Sequence, residues 1–320
     1  MKKRFLVAAM AATLVSPIAA YANATVYGNA HVSINSFDSA DNLDMSSNTS
    51  SIGVKGKEDL GGGMTALFKL EWQVDVTERN NASGTANLVD GKVKTKAALV
   101  DRDQWVGLKS GMGTVKFGTM SSNYKQMGGK IDPMYRTVLE GRGFMKTQSS
   151  LHGGAGQDGG RMTNTVQLTS SKMGGMQAVF NMSVSGADDE TMGLGVRYKA
   201  KNMMAYFDYL DTQTKAAVGE AAIKVGGSYT MDALTIGAQF EQTEDALGAD
   251  VVFLSANYKM NDNDNVAFTF GDNDSDDAGY AFLYNHKMSK RTNVYAGYGD
   301  NASNTAADDQ VVTAGIRHKF

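Results

Sequence analysis

The chain has 320 residues, a formal charge of -3, 42% hydrophobic and 20% charged residues, values that argue against wholesale disorder and allow two globular domains or one large closed sheet. It holds 36 glycines, 2 prolines and no cysteine, which excludes disulfides, thiolate zinc sites, iron–sulfur clusters and a cysteine nucleophile. A pI near 5.8 gives no support to nucleic-acid binding through phosphate contacts.

The first 22 residues differ in texture from the rest. Lys2, Lys3 and Arg4 precede an uncharged apolar stretch over residues 5–15, and small residues lead to Ala20-Tyr21-Ala22, with Ala22-Asn23-Ala24 as a second choice. This layout predicts a secretory signal peptide, residues 1–22, cleaved after Ala22 or Ala24. Loss of the three basic residues takes the formal charge to -6. No later apolar run is long enough for a membrane-spanning helix, which leaves a secreted soluble protein or a β-barrel.

The remaining 23–320 segment reads as one domain built on a period of two. Val26, Gly28, Ala30, Val32 and Ile34 share one face of the first segment, and Tyr27, Asn29, His31, Ser33 and Asn35 share the other. From Met64 the same register holds through Phe68, Leu70, Trp72, Val74 and Val76, longer than the ~5–6 residues of a common globular strand. A tilted membrane-spanning strand needs about 9–11 residues. Sixteen such segments are expected, starting near residues 25, 50, 64, 98, 113, 161, 175, 191, 203, 222, 233, 250, 265, 278, 292 and 310. Connectors alternate between short ones, such as Gly61-Gly62-Gly63 and Met231-Asp232, and long polar ones, such as 77–96 and 301–309. Tyr198, Tyr229, Tyr258 and Phe320 mark the strand ends at the short turns, and Trp72, Phe240 and Tyr280 mark the opposite ends. The pattern predicts an all-β, 16-stranded antiparallel transmembrane β-barrel with aromatic belts, rather than a soluble β-sandwich.

The stretch Ser51-Ile52-Gly53-Val54-Lys55-Gly56-Lys57-Glu58-Asp59-Leu60-Gly61-Gly62-Gly63, followed by Ala66, Phe68, Leu70 and Glu71, resembles a hairpin of the Gram-negative general diffusion porins. Val106-Gly107-Leu108, Arg161-Met162-Thr163-Asn164, Ser289-Lys290-Arg291-Thr292 and the ending Gly315-Ile316-Arg317-His318-Lys319-Phe320 continue the likeness in the family's order. The resemblance implies a homotrimer of barrels in the outer membrane, in contact with lipid and lipopolysaccharide, passing small hydrophilic solutes. It implies that Phe320 is read by the outer-membrane assembly machinery, and that a long third loop folds into the lumen. Relatives often carry Gly-Arg-Gln where this chain has Gly118-Thr119-Met120, so one basic group common near the family's eyelet is missing.

That third loop is expected over residues 121–160, without clean alternation and longer than the ~12–15 residues usual for a structureless loop. Tyr124, Ile131, Met134, Tyr135, Val138, Leu139, Phe144 and Met145 give it apolar surface to pack. Basic residues outnumber acidic ones from 121 to 161, and the candidate pore constriction is Arg136, Arg142, Lys146 and Arg161 with Asp132 and Glu140 facing them. Opposed charges of this kind would set a field across the aperture and a modest preference for anions.

No catalytic residues, metal ligands or cofactor are expected. His31, His152, His286 and His318 lack metal-ligand spacing, and Gly153-Gly154-Ala155-Gly156 lacks the Gly-Lys-Ser/Thr of a phosphate loop. Residues 272–277 begin like a calcium loop but carry Asp277 where glycine is required. A channel is thus expected, the alternative being a non-conducting structural or adhesive barrel.

Overall fold

The computed structural model describes residues 23–38, 41–77, 88–89, 92–93, 99–149, 151, 161–184, 191–211, 221–243, 250–274, 278–301 and 310–320. The expected signal segment, His152, the glycine run at 153–156 and the end of the acidic loop at 275–277 lie outside these residues.

Period-two alternation becomes sixteen long strands among the described residues. They are β1 (Asn23–Phe37), β2 (Ser51–Gly61), β3 (Met64–Gln73), β4 (Val100–Ser110), β5 (Gly113–Met120), β6 (Met162–Ser170), β7 (Met176–Ser183) and β8 (Met192–Lys199). They continue as β9 (Met203–Asp211), β10 (Ala221–Met231), β11 (Leu234–Gln242), β12 (Val251–Lys259), β13 (Asp264–Asn273), β14 (Gly279–Lys287), β15 (Thr292–Asp300) and β16 (Gln310–Lys319). Every strand starts within two residues of its expected position. Each pairs antiparallel with its neighbours, and β1 pairs with both β2 and β16, so the sheet closes on itself. A short strand, Asp44–Ser47, adds to the upper part of β1.

Closure leaves no open edge, which a sheet in hydrocarbon requires because an unpaired N–H or C=O there has no water partner. The last link is Phe320, whose N–H donates to the Gly28 carbonyl at 3.1 Å while the Gly28 N–H donates back at 3.2 Å. A side chain at Gly28 would collide with the Phe320 ring. The terminal aromatic is therefore seated on the seam.

The two faces fall as the alternation dictates. Val26, Leu70, Phe180, Leu194, Ile236 and Ile316 are exposed on the outer wall, where lipid would cover them. Glu71 and Asn181, next to Leu70 and Phe180, are buried inside the barrel, as are Gln239 and Glu241 on either side of the exposed Phe240. Tyr229, Tyr258 and Phe320 are exposed on the outer face at the short-turn end and Phe240 at the other, as two belts require.

The hydrophobic core lies inside the barrel, between the third loop and one half of the wall. Met134, Val138, Leu139 and Met145 of the loop pack on Phe37, Ala267, Ala281, Leu283, Tyr295 and Val311 of β1 and β13–β16. Met127 and Ile131 pack on Tyr206 and Phe253, and Tyr124 on Leu210 and Ala222. The loop thus lies against the wall from β7 round to β1, and the open lumen is left beside β2–β6.

Candidate functional site

The third loop begins with a helix, α1 (Asn123–Ile131), capped by Ser122, whose Oγ accepts the Lys125 N–H at 3.1 Å. Asn123 then ties the helix start to the wall. Its N–H donates to Asn181 Oδ1 at 2.8 Å and its side-chain amide donates to Asp208 Oδ1 at 2.9 Å. Approach this close requires glycine at Gly193 of β8, where a Cβ would strike the Asn123 side chain. At the helix end, Ser255 Oγ donates to the Ile131 carbonyl at 2.6 Å.

Both ends of the loop converge on one buried ion pair. Glu241 accepts from the Tyr124 hydroxyl at 2.9 Å, from the Ser149 N–H at 3.1 Å and from the Ser149 hydroxyl. Lys224 Nζ lies 3.3 Å from the same carboxylate and donates to the Tyr124 carbonyl at 3.1 Å. Donors on both oxygens replace the water that this buried carboxylate gives up.

Opposite the loop, two irregularities of the sheet bring charge together. The β3–β4 register shifts between Leu70 and Trp72, so Arg102 and Asp103 oppose the single residue Glu71. The β5–β6 register shifts between Gly118 and Met120, next to Asn164 at φ 50°. A bulge inserts one residue and re-aims the side chains around it. Arg102 and Asp103, consecutive in sequence, therefore both turn inward. Arg102 Nε pairs with Glu71 Oε1 at 2.6 Å, and Arg161 Nε with Asp103 Oδ1 at 2.7 Å. Lys69 Nζ bridges the two carboxylates, 2.8 Å from Asp103 and 3.1 Å from Glu71. Lys116 completes the group, its Nζ 4.6 Å from the Trp105 ring centre. Lys69, Arg102, Lys116 and Arg161 thus outnumber Glu71 and Asp103, and this patch of wall carries excess positive charge.

The loop presents more of the same sign. Arg142 stacks over Tyr135 at 4.9 Å and donates to the Lys125 carbonyl at 3.1 Å. Arg136 lies 5.4 Å from the centre of the same ring, in a left-handed conformation with φ 73°. Its N–H donates to Glu140 Oε2 at 2.7 Å, which fixes that turn. Lys125 feels Arg161, Arg142 and Arg102 together; burial first and then this repulsion lower its ammonium to about 7.

The six residues singled out from the sequence are therefore not one cluster. Arg136, Arg142 and Arg161 come together around Lys125 and Arg102. Lys146 is exposed beside β13, its carbonyl accepting from Asn273 Nδ2 at 3.2 Å. Asp132 is 5% exposed and turned into the loop, accepting the Met134 and Gly141 N–H groups at 2.8 and 3.0 Å. Glu140 braces the Arg136 turn. The carboxylates set against the wall arginines are Glu71 and Asp103.

Thr119, where the family's basic group is missing, lies in register close to two arginines. Thr119 pairs with Gln104, two residues from Arg102, and Met120 pairs with Met162, next to Arg161. Lys69, Glu71, Arg102, Asp103 and Lys116 did not stand out from the sequence, where they are ordinary polar positions of strands. The one signal that points to the loop's seat is a set of inward glycines, Gly193, Gly237, Gly271 and Gly299, whose absent side chains leave room for it.

A model of the Gram-negative porin family matches residues 7–306. The major outer membrane protein P.IB of Neisseria lactamica is 25% identical over 277 residues, covering 78% of this chain and 73% of that protein. An outer membrane porin protein of Bordetella pertussis is 25% identical over 289 residues, covering 77% and 70%. Among solved structures, an anion-selective porin from Comamonas acidovorans superposes with a TM-score of 0.74 at 20% identity, covering 94% of this chain and all (100%) of the other. A mutant of Rh. blastica porin superposes at 0.71 with 16% identity, covering 93% and 100%.

Proposed function

From the premise that this chain belongs to the Gram-negative porin family, and is an outer-membrane diffusion channel rather than an enzyme, we propose that its constriction passes small hydrophilic anions in preference to cations. The observation that carries this is the collection of Arg102, Arg161, Lys69 and Lys116 on the wall, facing Lys125, Arg136 and Arg142 on the loop. Glu71 and Asp103 balance only part of that charge. Selectivity follows the field at the aperture, because charges farther than the ~8 Å Debye length at physiological salt are largely screened. The acidic residues elsewhere in the chain therefore count for little.

The wider reading includes export by a cleaved signal at 1–22, assembly as a homotrimer among outer-membrane lipid and lipopolysaccharide, and handling by the assembly machinery through Phe320. The decisive measurement is the reversal potential of single channels in a salt gradient, with Arg102→Ala and Arg161→Ala beside the parent. An anion-selective parent and weakened selectivity in both variants are expected. A cation-selective parent, or variants that match it, would overturn the assignment.

A further inference from the structure

A row of four asparagines crosses the inner wall near the short-turn rim. Asn293 Nδ2 donates to Asn285 Oδ1 at 2.6 Å, Asn285 Nδ2 to Asn265 Oδ1 at 3.0 Å, and Asn265 Nδ2 to Asn257 Oδ1 at 2.9 Å. They stand on β15, β14, β13 and β12, and the residue opposite Asn293 in register on β16 is Arg317. A primary amide has two N–H groups and two lone pairs on its oxygen. The two inner amides, Asn285 and Asn265, each use one of each, and so each keeps one donor and one acceptor for a molecule in the lumen. All the donors run the same way, so neighbouring amides polarise one another.

The row lines a cavity of about 540 Å³, inside the roughly 300–1,000 Å³ range of ligand pockets. The same cavity is lined by Lys287, Lys290, Arg291, Arg317 and Lys319 and by no carboxylate among the described residues. Arg317 brings a buried Nε–H that has no hydrogen-bond partner among the described residues. An orphaned donor on a cation, beside a polarised file of neutral amides, is a half-made set of contacts. Because neighbouring strands are about 4.7–4.9 Å apart, the file repeats donor–acceptor pairs along a line. That suits an extended polyhydroxy chain better than a compact ion.

We propose that this row is a binding site for a small hydroxylated carboxylate, of the sugar-acid class. The carboxylate sits on Arg317, with Lys287 and Lys319 at the rim, and successive hydroxyls exchange hydrogen bonds with Asn293, Asn285 and Asn265. The residues come from β12–β16, whereas the constriction draws its wall from β3–β6. Pro133, Tyr135 and Thr137 of the loop close the cavity on the constriction side, so the amide row, which carries no charge, is the part whose substitution separates binding from ion selectivity.

The test is current through single channels in planar bilayers with sodium gluconate, sodium acetate or glucose added to either side. Saturable block by gluconate is expected, with neither acetate nor glucose matching it. Arg317→Met and Asn285→Leu should each weaken the block about tenfold, equivalent to ~1.4 kcal/mol. Heat-modifiable migration on gels shows that each variant is folded, and Asn265→Ser serves as the amide test if Asn285→Leu does not fold. Absence of saturable gluconate block, equal block by acetate, or block unchanged in the folded variants would overturn the site. The neutral Asn285→Leu should leave the reversal potential in potassium chloride unchanged while weakening gluconate block, and Arg102→Ala should do the reverse, so failure of one reading leaves the other distinguishable.

Discussion

Lys224 and Glu241, on adjacent strands and 3.3 Å apart with fully buried side chains, hold both ends of the loop that narrows the barrel. Tyr124 and Ser149, twenty-five positions apart in the chain, meet on this one carboxylate. The loop is thereby a closed arch pinned at its feet, with its apolar underside on the wall.

Breaking this pair from one side should therefore be costly. Glu241→Ala leaves Lys224 buried without its counter-charge, a situation that costs about 3–5 kcal/mol. We expect the heat-modification midpoint on gels to fall and open-channel noise to rise as the arch loosens. Lys224→Met with Glu241→Leu should be milder than the sum of the single variants, since no unpaired charge remains. Additive losses in the double variant would show that the pair is not coupled.

Lys125 should make selectivity depend on pH. Its ammonium is lowered to about 7, first by burial and then by Arg161, Arg142 and Arg102. The depressed value means the side chain is mostly neutral at pH 8 and charged at pH 6. Acidification from pH 8 to 6 thus adds a positive charge to the constriction, while the stability cost of that disfavoured charge accrues as pH drops from the ordinary lysine value of 10.5 to about 7 and levels off below it. One unit charge at ~10 Å in water is worth about 0.4 kcal/mol, or roughly twofold in local anion concentration. Reversal potentials at pH 8 and 6 should shift accordingly, and Lys125→Met should flatten the response. Asp132, raised to about 7 by burial, loses negative charge over the same range; Asp132→Asn separates its part.

The loop's seat can be tested from the wall. A Cβ at Gly271 would strike Thr147, including its carbonyl oxygen at 2.6 Å. Backbone cannot step aside as the end of a flexible side chain can. Gly271→Val should push the loop into the lumen and lower single-channel conductance, with the barrel itself intact by gel migration. Unchanged conductance would mean that the loop's end adjusts freely.

At the seam, removal of Phe320 deletes both backbone hydrogen bonds to Gly28 and the ring that covers it. Export to the periplasm should persist while the folded, heat-modifiable form in outer-membrane fractions decreases. Equal amounts of that form with and without Phe320 would count against its role in assembly.

Alternation along the chain was enough to place the sixteen strands and, where it is clean, to separate the apolar face of a strand from its polar one. That information is local, because a side chain's face in a strand depends only on parity, and hydrocarbon outside against water inside writes the parity into the residue types. The length and apolar content of residues 121–160 likewise marked the loop, and Arg136, Arg142 and Arg161 were visible in and beside it. What parity could not reveal is the place where it breaks. Arg102 and Asp103 would point to opposite faces in a regular strand, yet a bulge created by pairing with β3 turns both inward. Asp132 reads as a lumen charge until the fold closes the Met134 and Gly141 amides around it. Lys224 and Glu241 read as two of many inward polar residues until the loop, some hundred positions earlier, arrives on top of them. Register shifts and loop seating depend on partners distant in sequence, so the gathering of Lys69, Glu71, Arg102 and Asp103 beside Arg161 was decided by the tertiary structure.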